Sequence, residues 1–539
     1  MRVLPARSGQ SANARQRVAP QKQMSVKTFP APIAGWVLNE NLSQANPLGA
    51  RVLDNWFPTT TGIRVRGGRA KYATLSESGA VESMFVYKAG TTEKFFAATD
   101  DSVFEITTVA DKTVIPSAAI SSQTSGYYSA QQFGTAGGDY LYICNGDDDP
   151  QLFNGSTWTA IDGASTPAIT GVTTADLTQV WSYASRLFFI EKETMNAWYL
   201  PTDAIGGAAN SFSLAGIMKL GGYLVFGARW SVDAGDGLDD KCVFVSSEGE
   251  VAVYTGTNPG SASDWLLEGL YQIGKPLGKN CTMRAGGDLL IATDLGLVPI
   301  SAALNTDIAA LSMNAVSRQI QPEWEKAVNA RRSLPWEVMK WPSNNMMVVS
   351  QPQLTNSLDD QCFVANLQTG AWSRFFNWDT RCLALFDSRG YFGANDGCVY
   401  QMESGGTDDG DAYTCTVVWQ FDHLSAPAAT KTANQARATF LSADPFTPRL
   451  SASVNYSVSL PAAPSAASTY TKAQWDVGLW DIAQWDGNTI TTAITRWISI
   501  GQTGFVHAPQ IQVTFGNAPT PDVSLVSFDM TYTSGGIVV

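Results

Sequence analysis

The chain repeats a hairpin pattern in which apolar and polar residues alternate on both sides of a turn rich in Asn, Asp and Gly. Its clearest copy is Tyr391–Met402, where two alternating runs flank Asn395-Asp396-Gly397. Alternation with period two buries one face of a strand, and these turn residues tolerate the positive φ of tight hairpins. The segment therefore predicts a β-hairpin.

The same hairpin recurs along the chain. Further copies are Phe95–Ile106, Tyr142–Gly155, Phe244–Tyr254 and Leu290–Ile300, with weaker ones at Leu187–Leu200 and Cys362–Trp372. Aligned on their second strands, the copies have anchor residues at Phe104, Phe153, Tyr199, Tyr254, Val298, Val364 and Tyr400. A recurring unit of roughly 40–50 residues made of antiparallel hairpins is typical of a β-propeller.

We therefore predict an all-β fold whose main part, residues 81–402, is a six- to seven-bladed β-propeller. Seven blades would average about 46 residues and six about 54, and we favour seven. We expect each of the seven anchors to lie in a different blade.

One interruption of the repeat, about residues 305–331, has helical periodicity. Its apolar residues are Ile308, Leu311, Ala315 and Ile320. Asn305 or Thr306 can cap this segment, and Pro322 can begin a second short helix. We expect this helical insertion to lie on one face of the propeller.

The hairpin repeat ends at Met402, and the sequence pattern changes after it. Residues 403–411 form an acidic linker, which we expect to be flexible, and residues 412–539 predict a separate C-terminal β-sandwich-like domain. Its expected strands are Tyr413–Phe421, Gln435–Leu441, Leu450–Leu460, Thr492–Ile500, Gln510–Phe515 and Val523–Tyr532. Three Trp-Asp pairs begin at Trp475, Trp480 and Trp485. Trp is enriched among buried interface anchors, so these residues are candidate interface or core residues, with a sugar-stacking platform as the alternative.

The start of the chain differs in charge from the rest. Residues 1–34 predict a basic extended arm, and residues 1–39 contain no Asp or Glu. The basic residues of the arm are Arg2, Arg7, Arg15, Arg17, Lys22 and Lys27, of which the four arginines are candidate interface residues. We expect the arm to dock on a neighbouring subunit, with DNA as the alternative target.

Residues 35–80 form a lead-in segment to the first blade. Arg64-Val65-Arg66-Gly67-Gly68-Arg69 would suggest an RNA-binding segment only if it were repeated, and it occurs once. We therefore predict a tight turn at this point, leading into the propeller.

Composition narrows the class of protein. Charged residues make up only 15% of the chain, and the formal net charge is −13. An acidic body repels nucleic acid instead of binding it by counterion release. The seven Cys are scattered singly, as expected for small buried residues, and no run of 18 apolar residues is present to span a membrane.

Catalytic and metal-binding signatures are scarce. The chain has only two His, His423 and His507, and lacks a P-loop, a GxGxxG motif and an HExxH motif. Asp147-Asp148-Asp149 invites a calcium interpretation, but the spacing of a calcium loop is missing and a solvated turn is favoured. We predict no catalytic residue, no metal and no cofactor.

Four segments of the propeller region carry a family resemblance: Asp264-Trp265, Ile273–Gly278, Ala285–Ser301 and Met313–Ile320. They look like segments of the tail nozzle, or packaged-DNA stabilisation, proteins of short-tailed bacteriophages. Asn55–Gly68 fits the usual opening of those proteins, and Trp475–Asp486 is similar to C-terminal repeats of phage tail proteins. The long basic arm departs from the family pattern.

The resemblance implies a structural protein of the virion tail, assembled in the host cytoplasm and usually present as a six-fold ring below the portal and adaptor. It implies contacts with other copies, with the adaptor and with tail fibre or tailspike proteins. DNA would pass through the ring without sequence-specific binding, and an acidic channel would let it slide. The alternatives are a carbohydrate-binding or carbohydrate-cleaving propeller and a cellular propeller scaffold.

Overall fold

A computed structural model describes residues 24–231, 240–353, 360–442, 446–466, 491–516 and 519–537. The candidate interface residues of the arm and of the Trp-Asp repeat lie outside these ranges. They are Arg2, Arg7, Arg15, Arg17, Trp475, Trp480 and Trp485. The all-β prediction is confirmed for the described part of the chain.

The described chain begins with six short strands that belong to three different sheets. They are β1 (Met24–Pro30), β2 (Gly35–Trp36), β3 (Gly49–Asp54), β4 (Trp56–Pro58), β5 (Ile63–Val65) and β6 (Ala70–Thr74). The last part of the predicted extended arm is therefore a strand. β1 pairs with the C-terminal end of the chain from Met24–Thr533 to Pro30–Ser527, and these backbone bonds hold it in place.

The propeller consists of seven consecutive antiparallel sheets. Blade 1 is β7 (Ser83–Ala89), β8 (Thr92–Ala98), β9 (Val103–Glu105) and β10 (Ala118–Ile120); blade 2 is β11 (Ser129–Thr135), β12 (Gly138–Cys144), β13 (Gln151–Phe153) and β14 (Trp158–Ala160). After β15 (Ile169–Thr170), blade 3 is β16 (Leu177–Tyr183), β17 (Arg186–Glu191), β18 (Asn196–Tyr199) and β20 (Asn210–Ser213), while β19 (Gly207–Ala208) pairs with β15.

The second half of the ring continues in the same order. Blade 4 is β21 (Leu224–Trp230), β22 (Lys241–Ser246), β23 (Glu250–Thr255) and β24 (Leu266–Gln272); blade 5 is β25 (Thr282–Ala285), β26 (Asp288–Thr293) and β27 (Gly296–Pro299). Blade 6 is β28 (Val338–Trp341), β29 (Met346–Val349), β30 (Gln361–Asn366) and β31 (Trp372–Phe376); blade 7 is β32 (Cys382–Phe386), β33 (Arg389–Gly393) and β34 (Cys398–Gln401), with β6 as its outer strand.

The ring therefore has six four-stranded blades and one three-stranded blade, and the β-propeller prediction is confirmed. Each of the seven anchors lies on the third strand of a different blade, as the repeat predicted. The ring closes through β6, which pairs with β34 from Ala70–Gln401 to Thr74–Cys398. The lead-in segment thus completes the last blade and does not simply precede the first.

The helical insertion follows blade 5, as predicted. It contains α1 (Ile300–Ala303), α2 (Ile308–Leu311) and α3 (Gln321–Arg331), with short 3-10 turns at Ser312–Asn314 and Val316–Ile320; further 3-10 turns are Thr174–Asp176 and Pro342–Asn344. Pro322 lies in the first turn of α3, where its missing N–H is harmless. The cap of α2 is Asp307, whose carboxylate accepts the Ala309 N–H, and not Asn305 or Thr306.

The C-terminal strands complete a β-sandwich together with the N-terminal ones. They are β35 (Tyr413–Trp419), β36 (Ala429–Ser442), β37 (Arg449–Val454), β38 (Thr491–Ile494), β39 (Ile498–Gly504), β40 (His507–Phe515) and β41 (Val523–Ile537). One sheet has the order β38-β36-β41-β5-β4, with β1 along β41 and β39 along β36. The other, β2-β3-β35-β40-β37, continues blade 6 through β31. The expectation of a separate C-terminal domain therefore needs correction, because one sheet runs through both parts.

The acidic linker is also fixed in place. Asp408 is 2% exposed and pairs with Arg66, which is fully buried. The Arg66 guanidinium also donates to the Asn55 side chain and to the carbonyls of Gly67 and Phe376. The predicted tight turn is therefore a buried junction between blade 6, the linker and the sandwich.

The packing between the two sheets of the sandwich accounts for the pattern of buried residues along their strands. β36 alternates buried residues, four of them Ala, with more exposed ones, apart from a register shift between Ala433 and Gln435, and its buried face packs in the core of the sandwich. Trp419 of that sheet meets Phe528 with ring centroids 5.5 Å apart. All seven Cys are buried and free, as the sequence predicted. No helix within the described ranges is long and apolar enough to cross a membrane.

Candidate functional site at the mouth of the propeller channel

The repeated turn of the sequence lies on one face of the ring. We call this the upper face: the end where the first strand of each blade begins and the turn between its second and third strands lies. Each of these seven turns carries a carboxylate, and one from each blade is Asp100, Asp147, Glu193, Glu248, Asp294, Asp360 and Asp396. The upper face therefore carries a ring of carboxylates, one or more from each blade.

The Asp triplet of blade 2 shows how these turns are held. Asp147 pairs with Lys192 of the neighbouring blade, and Asp149 accepts the Thr174 hydroxyl at 2.5 Å. Burial acts to raise the pKa of Asp148, but hydrogen bonds from Thr124 and Asn145 outweigh it and hold that pKa below its usual range. Each carboxylate thus has a partner within the protein, which favours the structural turn over a calcium loop.

Two cavities lie at the centre of the ring. The mouth cavity, about 440 Å³, opens on the upper face between blades 4, 5 and 6. Its wall includes two aromatic residues, Tyr127 and Tyr223, and two cations, Lys275 and Arg332. Lys275 pairs with Glu248 and Arg332 with Asp294.

The channel cavity, also about 440 Å³, lies inside the ring and is lined by the first strands of blades 2 to 5. Its polar lining residues include Gln131, Gln179, Arg229, Lys279, Asn280, Thr282 and Arg284. Gln179 has a fixed role, because its amide exchanges two hydrogen bonds with the backbone of Gly227, at 3.0 and 3.1 Å. This side chain bridges the first strands of blades 3 and 4.

Lys279 lies where the two cavities meet. It is 7% exposed, and its ammonium donates to the carbonyls of Tyr127 at 2.7 Å and Thr178 at 2.9 Å. The same ammonium stands 4.4 Å from the centre of the Tyr127 ring. Burial lowers the pKa of Lys279 to about 8, because desolvation disfavours the charged form.

Glu337 is the buried carboxylate nearest this point. It directly precedes the first strand of blade 6 and accepts the Leu383 N–H of blade 7 at 2.7 Å and the Asn280 amide of blade 5 at 3.1 Å. Burial raises its pKa to about 7 against these two hydrogen bonds, which lower it. One side chain therefore connects three consecutive blades around the mouth.

The ring is closed at the same level by an ion pair. Arg381, just before blade 7, contacts both carboxylate oxygens of Glu82, just before blade 1, at 2.7 Å. Burial raises the pKa of Glu82, and the Arg381 charge opposes that rise. The pair adds a side-chain link between the last and first blades, which the chain also connects from β6 to β7.

The sequence did not predict this polar site. Lys279 and Glu337 lack a recognisable motif, and the residues that contact them are more than 40 positions away along the chain. The two histidines lie elsewhere, in the sandwich, where burial lowers the pKa of His507 and the His423 ring contacts the Tyr456 hydroxyl at 3.1 Å. No group of three or more His, Cys, Asp or Glu side chains that could hold a metal occurs among the described residues.

These features define a β-propeller protein in which a β-sandwich extends one blade. No protein-family model matches the sequence, and no curated protein shows significant similarity to it. Among solved structures, YCF48 from Cyanidioschyzon merolae gives a TM-score of 0.35 at 11% identity, covering 62% of this chain and 98% of its own.

Two further structures resemble the chain at a similar level. The computationally designed Ika8 protein gives a TM-score of 0.34 at 10% identity, covering 62% of this chain and 99% of its own. The extracellular domain of a hybrid two-component system from B. thetaiotaomicron gives a TM-score of 0.39 at 12% identity, covering 74% of this chain and 49% of its own. At these values the likeness carries no argument about function.

Proposed function

We propose that this protein is a structural subunit of the tail of a short-tailed bacteriophage. In this proposal it forms the nozzle ring below the portal and adaptor, contacts tail fibre or tailspike proteins, and helps to retain packaged DNA. The protein is assembled in the host cytoplasm, acts in the virion and performs no catalytic step.

The observation that supports the proposal most directly is where the family-like segments lie. Ile273–Gly278 leads into blade 5, Ala285–Ser301 forms most of that blade and begins α1, and Met313–Ile320 forms the 3-10 turns that follow. These turns pack back on the blade, since the Ser317 hydroxyl accepts the Leu297 N–H at 2.9 Å. Three of the four propeller segments thus belong to one structural unit, while Asp264-Trp265 directly precedes the last strand of blade 4.

The surface of the sandwich gives a second line of support. Its exposed large apolar residues include Leu441, Tyr456, Val458, Leu460, Ile494, Trp497, Ile498 and Phe505. They lie on β36, β38 and β39 and in the connections that follow β37, β38 and β39. Apolar surface of this kind is expected where subunits meet.

The test is assembly of the purified full-length chain. We expect native mass spectrometry and negative-stain images to give closed rings, with six copies as the expected number. Ile494→Asp places a charge on the apolar sandwich surface, where Ile494 is 59% exposed, and should reduce ring formation. Val114→Asp is the matched control, because Val114 is equally exposed but lies on the rim of blade 1. A chain that stays monomeric at all concentrations would contradict the proposal.

The arm can be tested in the same assay. Because β1 is part of the sandwich, the deletion should remove residues 1–23 and leave Met24–Pro30 in place. We expect this deletion to impair ring assembly and to leave the folding of the sandwich unchanged. Normal assembly together with lost DNA binding would reverse the assignment and make DNA the target of the arm.

A second function rests on the mouth cavity. Two tyrosines and two charged pairs at an opening of about 440 Å³ would also suit a carbohydrate ligand, as in a sugar-binding or sugar-cleaving propeller. A monomer that binds glycans, with binding lost in Tyr223→Ala, would favour this function over the tail ring. A cellular propeller scaffold would show neither ring assembly nor glycan binding.

A further inference from the structure

The described lining of the channel cavity is cationic and amide-rich, although the chain as a whole is acidic. The whole chain carries a net charge of −13, and each turn of the upper face has a carboxylate. The described residues that line the channel cavity include Arg229, Lys279 and Arg284, and none of the described lining residues is Asp or Glu. The cavity is therefore an open polar space with a buried ammonium, that of Lys279, in its wall.

Lys279 is the central group of this lining. Its ammonium is buried and has three N–H donors, of which two are used by the carbonyls of Tyr127 and Thr178. No carboxylate lies within ion-pair distance of it in the described part of the chain. A buried ammonium held by two neutral carbonyls and the face of the Tyr127 ring is costly to keep unless a counterion completes its shell.

The other two cations extend the positive surface along the same wall. Arg229 belongs to the first strand of blade 4, where it pairs with Asp240, and Arg284 belongs to the first strand of blade 5. Arg229 is therefore partly neutralised, whereas Lys279 is not. The uncompensated charge is concentrated at Lys279, next to the Asn280 and Thr282 side chains.

We propose that the channel cavity binds a small molecule that carries an oxyanion, a phosphate or a carboxylate, with the oxyanion on the Lys279 ammonium. The cavity volume of about 440 Å³ exceeds the needs of a bare ion and lies within the range of small-molecule sites. The hydroxyl and amide groups of the wall suit a polar body such as a sugar. This site is independent of the tail-ring proposal.

The sign of the charge on the ligand follows from the same contacts. A cationic ligand would be repelled by the buried Lys279 ammonium, and an uncharged one would leave the third Lys279 donor and its charge without a counterion. An oxyanion bound there gains a charge-assisted hydrogen bond in a poorly solvated place, where such bonds are strongest.

The experiment is calorimetric titration of the full-length protein with three probes at constant ionic strength: inorganic phosphate, glucose 6-phosphate and glucose. We expect phosphate and glucose 6-phosphate to bind and glucose to give no heat. Tighter binding of glucose 6-phosphate would identify a phosphorylated metabolite as the ligand, and equal binding would identify free phosphate. Absence of binding by both charged probes would overturn the proposal.

Matched variants locate the site. Lys279→Met keeps the length of the side chain without its charge and should weaken binding about 10- to 100-fold, the usual range for a charged hydrogen bond. Lys275→Met removes a cation of the mouth cavity and should leave the affinity unchanged. If Lys279→Met does not fold, Arg284→Gln, at an exposed position, should also weaken binding. Binding that is lost in Lys275→Met and kept in the channel variants would refute the assignment.

Discussion

Replacing Arg66 by Met tests how the propeller is joined to the sandwich. All five N–H donors of the buried Arg66 guanidinium are used: two go to Asp408 at 2.7 and 2.9 Å, and the others to Asn55, Gly67 and Phe376. The variant leaves the Asp408 carboxylate buried with the Asn377 amide, at 3.0 Å, as its remaining side-chain partner among the described residues. Removing one partner of a buried ion pair destabilises a protein by about 3–5 kcal/mol.

We therefore expect Arg66→Met to lower the free energy of unfolding by about 3–5 kcal/mol, measured by urea unfolding with circular dichroism and tryptophan fluorescence. The double variant Arg66→Met with Asp408→Leu removes both charges and should lose clearly less than the sum of the two single changes.

Lys192→Met is the control for this experiment. Lys192 pairs with Asp147 on the upper face, and the two side chains are 41% and 33% exposed. An exposed pair of this kind contributes at most about 1 kcal/mol, so its loss should be small. If Arg66→Met were as mild as Lys192→Met, or if the two single changes were simply additive, the junction would not depend on the buried pair.

Three further predictions concern the interior of the ring. Burial raises the pKa of Glu337 from 4.5 to about 7, so the stabilising contribution of this residue is complete below pH 4.5. About 3 kcal/mol of unfolding free energy is lost as the pH rises through 7. Urea unfolding at a series of pH values should show this loss in the wild type and not in Glu337→Gln, and the same pH dependence in both proteins would contradict the prediction. Burial lowers the pKa of Lys279 from 10.5 to about 8, so the contribution of this residue to the unfolding free energy is complete above pH 10.5 and is lost as the pH falls through 8. The difference is about 3 kcal/mol, and urea unfolding of Lys279→Met at the same pH values should not show it. Gly227→Ala would place a methyl group 2.2 Å from the Trp181 ring and should cost about 1–3 kcal/mol in thermal unfolding, whereas Gly216→Ala, with nothing within 4 Å, should be nearly neutral.

Much of the fold could be predicted from the sequence, because the signals are local. Alternation around Asn-Asp-Gly turns located the hairpins, and each predicted anchor falls on the third strand of its own blade. Helical spacing and Pro322 located the insertion, although the cap is Asp307. These features depend on residues a few positions apart, and their patterns record which side of an element is buried.

The candidate site could not be predicted in the same way. Lys279 is held by Tyr127 and Thr178, which lie 152 and 101 positions away in the chain. A lone Lys between Gly278 and Asn280 gives no local sign that its ammonium will be buried. Ring geometry brings the beginnings of the first strands together, and the environment of the charge exists only after the ring has formed.

Local patterns predict the repeating unit, the helical insertion and the β character of the C-terminal region. The long-range pairings emerge in the folded chain: β6 completes the last blade, β1 to β5 belong to the C-terminal sandwich, and Arg66 meets Asp408 across 342 positions. Hydrophobic alternation specifies that a strand needs a covered face and a neighbour, but many strands of this chain carry the same alternation. The choice of neighbour is made by ring closure and by the burial of polar partners, which no local pattern encodes.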